Sequence, residues 1–350
     1  MGAAGVDEID LALLDAVHVN PRVKYDELSR VLGISGVTAA RRWRHLVDTG
    51  RAWVSSSIGP ALPVVGSMIE VECEPGTADA VAARFAALPQ VFSVHLTTGR
   101  FNLYALIVAA DQPMTSTLLI DVLPSISGVR ALRTAAVVRL FSGTFWRLGA
   151  ISSVQARQVA EATTRTNPRR GSTFDTVDRE LYLALQQDGR MSYRDLGSRL
   201  GCSELVARRR LLRLTRSGLL TFRTDFARAD AGWPTSVVLA LRMPGGSSLP
   251  EAGKVLVSWP ETRVCAAIIG GPAQLFVTMQ IHELGAIDAL IAALQRSFPG
   301  VEILSAQTVL RAVKSFGRLL DVDGHACGVV PVDPWSPSTF DWKQQFNPSK

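Results

Sequence analysis

Apolar residues along the chain fall into blocks of helical and strand-like period. From 175 to 216 the period is helical. Val177, Leu181, Ala184 and Leu185 share one face of a first helix, which Asp175 is placed to cap and Asp188-Gly189 to end. Ser192 caps a second helix, Tyr193 to Leu200, and Gly201 breaks it because glycine accepts a left-handed backbone. Ser203 caps a third helix that stops before Gly218, with Ala207, Leu211 and Leu214 facing inward at spacings of four and three. Helix, glycine turn and capped helix make a helix-turn-helix, and an extended pair over Leu219–Phe226 suggests the winged form.

The pattern then changes to period two. Residues 67–73 and 237–243 read as strands, the first alternating apolar and acidic side chains as a half-buried strand does. Helical faces follow at Val81, Phe85 and Leu88, and at Ala252, Val255, Leu256 and Trp259. Strand pairs come next, 91–97 with 102–109 and 263–269 with 274–281, joined at Thr98-Gly99-Arg100 and Gly270-Gly271-Pro272. Helices over 114–123 and 283–298 and strands near 129–138 and 301–310 complete two βαββαβ units of the ferredoxin-like kind.

The two halves repeat. A shift of 168 residues lays Ile9–Trp53 on Val177–Thr221 without a gap, and Asp10/Asp178, Arg22/Arg190, Tyr25/Tyr193, Gly33/Gly201, Ser35/Ser203, Arg42/Arg210 and Gly50/Gly218 coincide. The predicted fold class is therefore α+β, with two winged helix-turn-helix domains, each followed by a ferredoxin-like domain. The expected boundaries are 1–55 and 62–142, a polar linker 143–173 with a short helix around 151–162, then 174–226, 233–318 and an irregular tail 319–350. Trp335, Phe340, Trp342 and Phe346 of that tail are candidates to dock on a partner surface.

Charge sharpens this picture. The net charge is +6, yet 174–224 hold ten Lys/Arg against six Asp/Glu while 56–145 are slightly acidic. Five arginines and no acid lie within 208–216, on the third helix of the second module. Guanidinium forks on a helix can reach guanine edges and phosphates in a major groove. The candidate DNA-binding residues are Ser203, Leu205, Arg208, Arg209 and Arg213, and in the first module Ser35, Val37, Thr38, Arg41, Arg44 and His45. Trp43 falls in the core register rather than among the reading positions.

These motifs resemble the Lrp/AsnC family of bacterial transcription regulators. The resemblance is carried by Asp178-Arg179-Glu180-Leu181, Asp188-Gly189-Arg190-Met191-Ser192-Tyr193, Gly201-Cys202-Ser203 and Gly218-Leu219-Leu220, and less fully by the first module, which has Asn20-Pro21-Arg22. It covers about 7–142 and 175–318, so the chain looks like two family units fused. It implies RAM-type effector domains that pair around small molecules, often amino acids. The family's ligand loop often reads Thr-Gly-x-x-Asp; here Asn102 stands for the acid. The implied effector residues are Gly99, Arg100, Asn102, Gly271 and Gln274, with turn amides available to a carboxylate; a plain tight turn is the other reading of both loops. Expected partners are double-stranded DNA, a small-molecule effector and, after pairing of the two effector domains within the chain, further copies of it.

Other function classes find less support. No run of eighteen apolar residues suits a membrane span, and the N-terminus lacks the pattern of a signal peptide. Four scattered cysteines fit neither a zinc site nor a disulfide framework, and a reducing cytoplasm is the expected compartment. No phosphate loop, nucleophile–base pair, metal or cofactor is indicated, and the chain is read as a non-enzyme. Siroheme decarboxylases resemble the same fold and give the enzymatic alternative, for which His95, near Arg100, is the one candidate residue. A third reading is a scaffold whose first module, net neutral over 1–55, no longer binds DNA.

Overall fold

The computed structural model describes residues 6–142, 148–161 and 173–337. The first helix-turn-helix comprises α1 (Glu8–Val19), α2 (Tyr25–Leu32) and α3 (Gly36–Asp48), followed by β1 (Ala52–Ile58). The first ferredoxin-like unit runs β2 (Val65–Cys73), α4 (Ala78–Ala87), β3 (Val91–Thr97), β4 (Leu103–Ala109), α5 (Gln112–Thr117) and β5 (Val129–Ser142). After α6 (Ser153–Glu161) the plan recurs with α7 (Thr176–Gln187), α8 (Tyr193–Arg199), α9 (Glu204–Arg216), β6 (Leu220–Phe226), β7 (Thr235–Arg242), α10 (Leu249–Val257), β8 (Thr262–Ile269), β9 (Leu275–Ile281), α11 (Ile287–Ser297) and β10 (Glu302–Ser315). A hairpin of β11 (Arg318–Leu320) and β12 (Ala326–Val329) ends the regular structure.

The two ferredoxin-like units close on each other as one barrel. Its strand order is β10-β3-β4-β2-β5-β8-β9-β7, with β7 pairing back to β10, every pair antiparallel. Closure gives each of these eight strands a neighbour on both sides. It also explains why β5 and β10 outrun the strands read from sequence. Ala136–Ser142 cross to β8, and Val309–Ser315 cross to β3, so the second half of each fourth strand belongs to the other unit. Met68, Tyr104, Ala135, Val238, Ala266, Ile268 and Phe276 fill the barrel, with Tyr104 and Phe276 edge to face at 5.4 Å. Glu70 and Glu72, read as the exposed side of a strand, are nearly buried and pair with Arg133 and Arg100.

The strands after the two helix-turn-helix modules differ from the expected wings. The stretch 219–226 supplies one strand, β6, and its partner is β1 of the other module. Ala52 lies opposite Phe226, Ile58 opposite Leu220, and at the centre Ser55 faces Arg223, its own counterpart in the repeat. The ribbon thus carries a local two-fold axis relating the modules. A lone strand leaves its backbone groups unsatisfied, and pairing with the sister strand removes that cost for both modules at once. Ser56 donates to the Tyr182 carbonyl of α7, and Thr224 to the Val17 carbonyl of α1, so each ribbon strand also ties to the other module's first helix.

The helix expected around 151–162 is α6. Ile151, Ala156 and Val159 join the first module's core, and the buried Asp15 carboxylate accepts from the Leu148 and Ile151 amides. The second module is closed instead by the tail, which was expected to be irregular and to seek a partner. It folds back: Trp335 stacks on Phe174 at 4.8 Å and meets Tyr182 edge-on, and Arg179 pairs with Asp333. Phe340, Trp342 and Phe346 lie outside the described residues.

Candidate nucleic-acid interface and ligand cleft

Each third helix is positioned by the same devices. Ser35 accepts from the Thr38 amide and Ser203 from the Val206 amide, so both serines act as N-caps. Ala39, Trp43 and Leu46 are buried in α3, and Ala207, Leu211 and Leu214 in α9, as their spacing predicts. Arg42 and Arg210 bind back to the N-terminus of their first helix. Arg42 reaches Asp7 and Asp10 at 2.8 and 2.9 Å, and Arg210 reaches Asp175 and Asp178 at 2.8 and 2.7 Å. These bonds hold the Asp7 and Asp175 carboxyls below their ordinary range: the backbone bond from Asp10 acts chiefly on the former, the Arg210 guanidinium on the latter.

What remains outward is the candidate reading surface. Arg41, Arg44 and His45 are exposed on α3, with Val37 at 81 % near its start and Thr38 half-buried; Arg208 and Arg209 are exposed on α9, with Leu205 at 62 %. Arg213 lies differently from the sequence expectation of a free reading arginine. Its guanidinium binds the fully buried Asp178 at 2.5 Å and the Thr173 carbonyl at 2.8 Å. The cause is register: three residues after Arg210, Arg213 lies over the same first-helix carboxylate.

Two further arginines hold the modules together, and sequence reasoning passed over them. Arg22 donates to the Gly189 and Met191 carbonyls, and its counterpart Arg190 donates to the Pro21 and Val23 carbonyls. Each also lies over the other module's tyrosine, Arg22 at 5.2 Å from Tyr193 and Arg190 at 4.9 Å from Tyr25. The signal was present, since all four residues coincide in the repeat; coincidence alone does not separate a fold-internal brace from one between modules.

The effector-loop residues are mostly engaged within the chain. The Asn102 side chain accepts from the Cys73 amide, Gln274 accepts from the Met243 amide, and Arg100 binds Glu72 at 2.7 Å. Asn102 and Gln274 thus do one job twice, tying each loop to the end of the unit's first strand. Gly99 and Gly271 are exposed, and Gly99 takes the positive φ of 95° that its turn needs. His95 stacks on Tyr104 at 4.6 Å, and Arg228 is the arginine whose charge acts on it.

A cleft of about 300 Å³ opens where the ribbon, the barrel mouth and the β10–β11 region meet. Trp53, His95, Asp225, Arg228, Trp233 and Gln280 line it. Behind it Asp225, 1 % exposed, receives three guanidinium groups: Arg223 at 2.8 Å, Arg228 at 3.1 Å and Arg263 at 3.3 Å. Although burial opposes ionisation, the arginines hold the Asp225 carboxyl far below its ordinary range. Burial pushes His95 down to about 3 and His18, which bonds the Leu14 carbonyl, down to about 4, so both rings are neutral. Among the described residues Asp321, Asp323 and His325 could also gather round a cation, a grouping the sequence did not suggest; there His325 lies 3.1 Å from Asp230.

The model of the AsnC-type helix-turn-helix domain matches residues 6–47 and again 174–215, and that of the Lrp/AsnC ligand binding domain matches 67–145. The chain belongs to the Lrp/AsnC family. It holds two tandem family units, the second effector unit being recognised by the barrel it completes. As a family member it is a DNA-binding transcription regulator with a ligand-binding part. The Bkd operon transcriptional regulator of Pseudomonas aeruginosa is 26 % identical over 143 residues, 40 % of this chain and 93 % of that protein. The leucine-responsive regulatory protein of Escherichia coli is 24 % identical over 155 residues, 43 % of this chain and 94 % of its own. A solved siroheme decarboxylase, NirDL, shares the fold over 88 % of this chain and 93 % of its own, with a TM-score of 0.58 at 15 % identity. No helix among the described residues is long and apolar enough to cross a membrane.

Proposed function

We propose that this regulator reads an asymmetric operator, laying α3 and α9 into major-groove segments on one face of a duplex, and that a small metabolite modulates the binding. The observation that carries the reading is a ribbon with two-fold register bearing two unlike exposed faces, Arg41/Arg44/His45 on one helix and Arg208/Arg209 on the other. A two-fold arrangement matches paired half-sites, and unlike reading helices match unlike half-sites. Phosphate contacts give such a protein most of its affinity and a steep salt dependence. For the metabolite, the Gly99 and Gly271 turn amides are the candidate contacts, with Arg100, Asn102 and Gln274 shaping the turns.

Mobility-shift titrations test this. Arg209→Ala weakens specific binding by roughly 1–3 kcal/mol if it touches a base. Arg213→Ala acts mainly on stability, because its partner is Asp178. Unchanged affinity in Arg209→Ala and Arg41→Ala alike contradicts the proposed interface; loss in Arg209→Ala alone leaves a scaffold-like first module.

One observation favours catalysis as a second reading: a neutral histidine, His95, faces a cleft backed by arginines. The cleft is at the small end of the ~300–1,000 Å³ range of ligand pockets, tight for a tetrapyrrole macrocycle. Saturable tetrapyrrole binding with release of carbon dioxide would favour the enzyme over the regulator.

A further inference from the structure

The two third helices carry an outward stripe that agrees at two positions and parts at the next. On α3 it runs Val37, Arg41, Arg44, and on α9 Leu205, Arg209, Leu212. Steps of four and three keep each stripe on one side of its helix, opposite Ala39, Trp43 and Leu46 or Ala207, Leu211 and Leu214. Val37 is 81 % and Leu205 62 % exposed, both in the first turn. Arg41, Arg44 and Arg209 are exposed, and Leu212 is half-buried. The arginines beside the stripe are held: Arg42, Arg210 and Arg213 by first-helix carboxylates, while Arg208, at its edge, lies over the Tyr193 ring of α8 at 6.0 Å.

Single exposed apolar residues are ordinary on a protein surface. Position makes these two different, because both repeats keep one at the start of the helix that faces DNA, in line with an exposed arginine. The apolar group that a major groove offers is the thymine 5-methyl, whereas guanine offers N7 and O6 to a guanidinium fork. A step of four residues rises about 6 Å along a helix, close to two base-pair steps of about 3.4 Å. A helix lying along the groove therefore addresses base pairs about two apart with successive members of the stripe.

We propose that Val37 and Leu205 each pack on a thymine methyl, that Arg41 and Arg209 each take a guanine, and that the third position sets the half-sites apart, Arg44 taking a second guanine and Leu212 a second thymine methyl. This assignment rests on the regulator reading and gives its half-sites a base content. The two halves share a thymine and a guanine contact. Their asymmetry is concentrated at one further contact, guanine under α3 and thymine under α9.

Deoxyuridine in place of thymidine deletes the methyl and nothing else, so the main test alters the DNA and leaves the protein as it is. The probe is the duplex enriched from random DNA by the full chain, each half being assigned to its helix by the loss in Arg41→Ala or Arg209→Ala. Deoxyuridine at one thymine of the α3 half, and at either of two thymines of the α9 half, is expected to weaken binding about fourfold, the worth of one methyl removed from water. In Leu205→Ala the corresponding deoxyuridine has no further effect. Leu212→Arg, which copies the sister module, moves the selected base at the third contact from thymine to guanine, and Arg44→Leu moves it the other way. An enriched motif whose deoxyuridine substitutions leave affinity unchanged in both halves, or a third base indifferent to both exchanges, overturns the assignment and leaves the regulator reading standing. Absence of any enriched motif overturns both.

Discussion

The first and second helix-turn-helix modules share a scaffold and an exposed arginine, Arg41 or Arg209, and differ in much of what surrounds it. Residues that hold a module together or join it to its sister are kept in both: Asp10 and Asp178 under Arg42 and Arg210, Arg22 and Arg190 across the seam, Tyr25 and Tyr193 beneath those arginines. Around the shared Arg41 and Arg209 the third helices diverge: Ala40 becomes Arg208, Arg44 becomes Leu212, Val37 becomes Leu205, and His45 becomes Arg213, which turns back onto Asp178. Their closures diverge too, α6 on the first and the Trp335 tail on the second. Interactions that span a two-fold seam must change in pairs to change at all, whereas each exposed face answers only to what it binds. Fusing two units into one chain frees the two faces from having to match.

The first test of that comparison is at the buried acids. Asp178 is fully buried and serves Arg210 and Arg213, whereas Asp10 keeps slight exposure and serves Arg42. Asp178→Ala should cost about 2–3 kcal/mol, because Arg213 loses its carboxylate partner while Arg210 keeps Asp175, and Asp10→Ala clearly less. Urea denaturation reads both; equal losses would mean that Arg213 adds nothing to its ion pair. Next come the reading faces. Arg208→Ala with Arg209→Ala should lower specific DNA affinity by roughly 2–4 kcal/mol, and Arg41→Ala with Arg44→Ala should weaken a different half-site. Protection footprints on one operator would sharpen the comparison by assigning each loss to its own half.

Arg22→Ala and Arg190→Ala should each cost about 1–3 kcal/mol of stability, since each removes charge-assisted bonds to carbonyls. The double variant should lose less than their sum if the two braces hold one seam. A further test is with pH. His18 of the first module corresponds to Gln186 of the second. With the folded His18 pushed down to about 4, the unfolded chain takes up the proton first, so stability is complete above about 6.5 and falls as pH drops toward 4. His95 adds a loss in the same direction. His18→Gln, copying the second module, should flatten the fall; a profile unchanged by the substitution would place the titration elsewhere.

Element order was readable because local physics sets it. Asp175, Ser192, Ser203 and Ser35 cap the helices their positions suggest, and Gly33, Gly201 and Gly218 take the left-handed backbone just after helices. The core faces of α3 and α9 also follow directly from apolar spacing. Pairings between distant segments were not readable. The partner of Leu220–Phe226 lies in the first half of the chain, and no local signal distinguishes a wing strand from half of a shared ribbon. The extra lengths of β5 and β10 were hidden for the same reason. Among reading residues, helical position alone could not show that Arg213 turns back onto Asp178. The cleft escaped entirely, since Trp53, His95, Arg228 and Gln280 come from four segments and meet only when the barrel and ribbon close.

The account rests on two unlike reading faces held in two-fold register. Selection of bound fragments from random duplex DNA by the intact chain tests this most directly. It should enrich one motif with two different half-sites at a fixed helical spacing, and Arg208→Ala/Arg209→Ala should blur only one of them. Enrichment of a true palindrome, or of no motif at all, would contradict it.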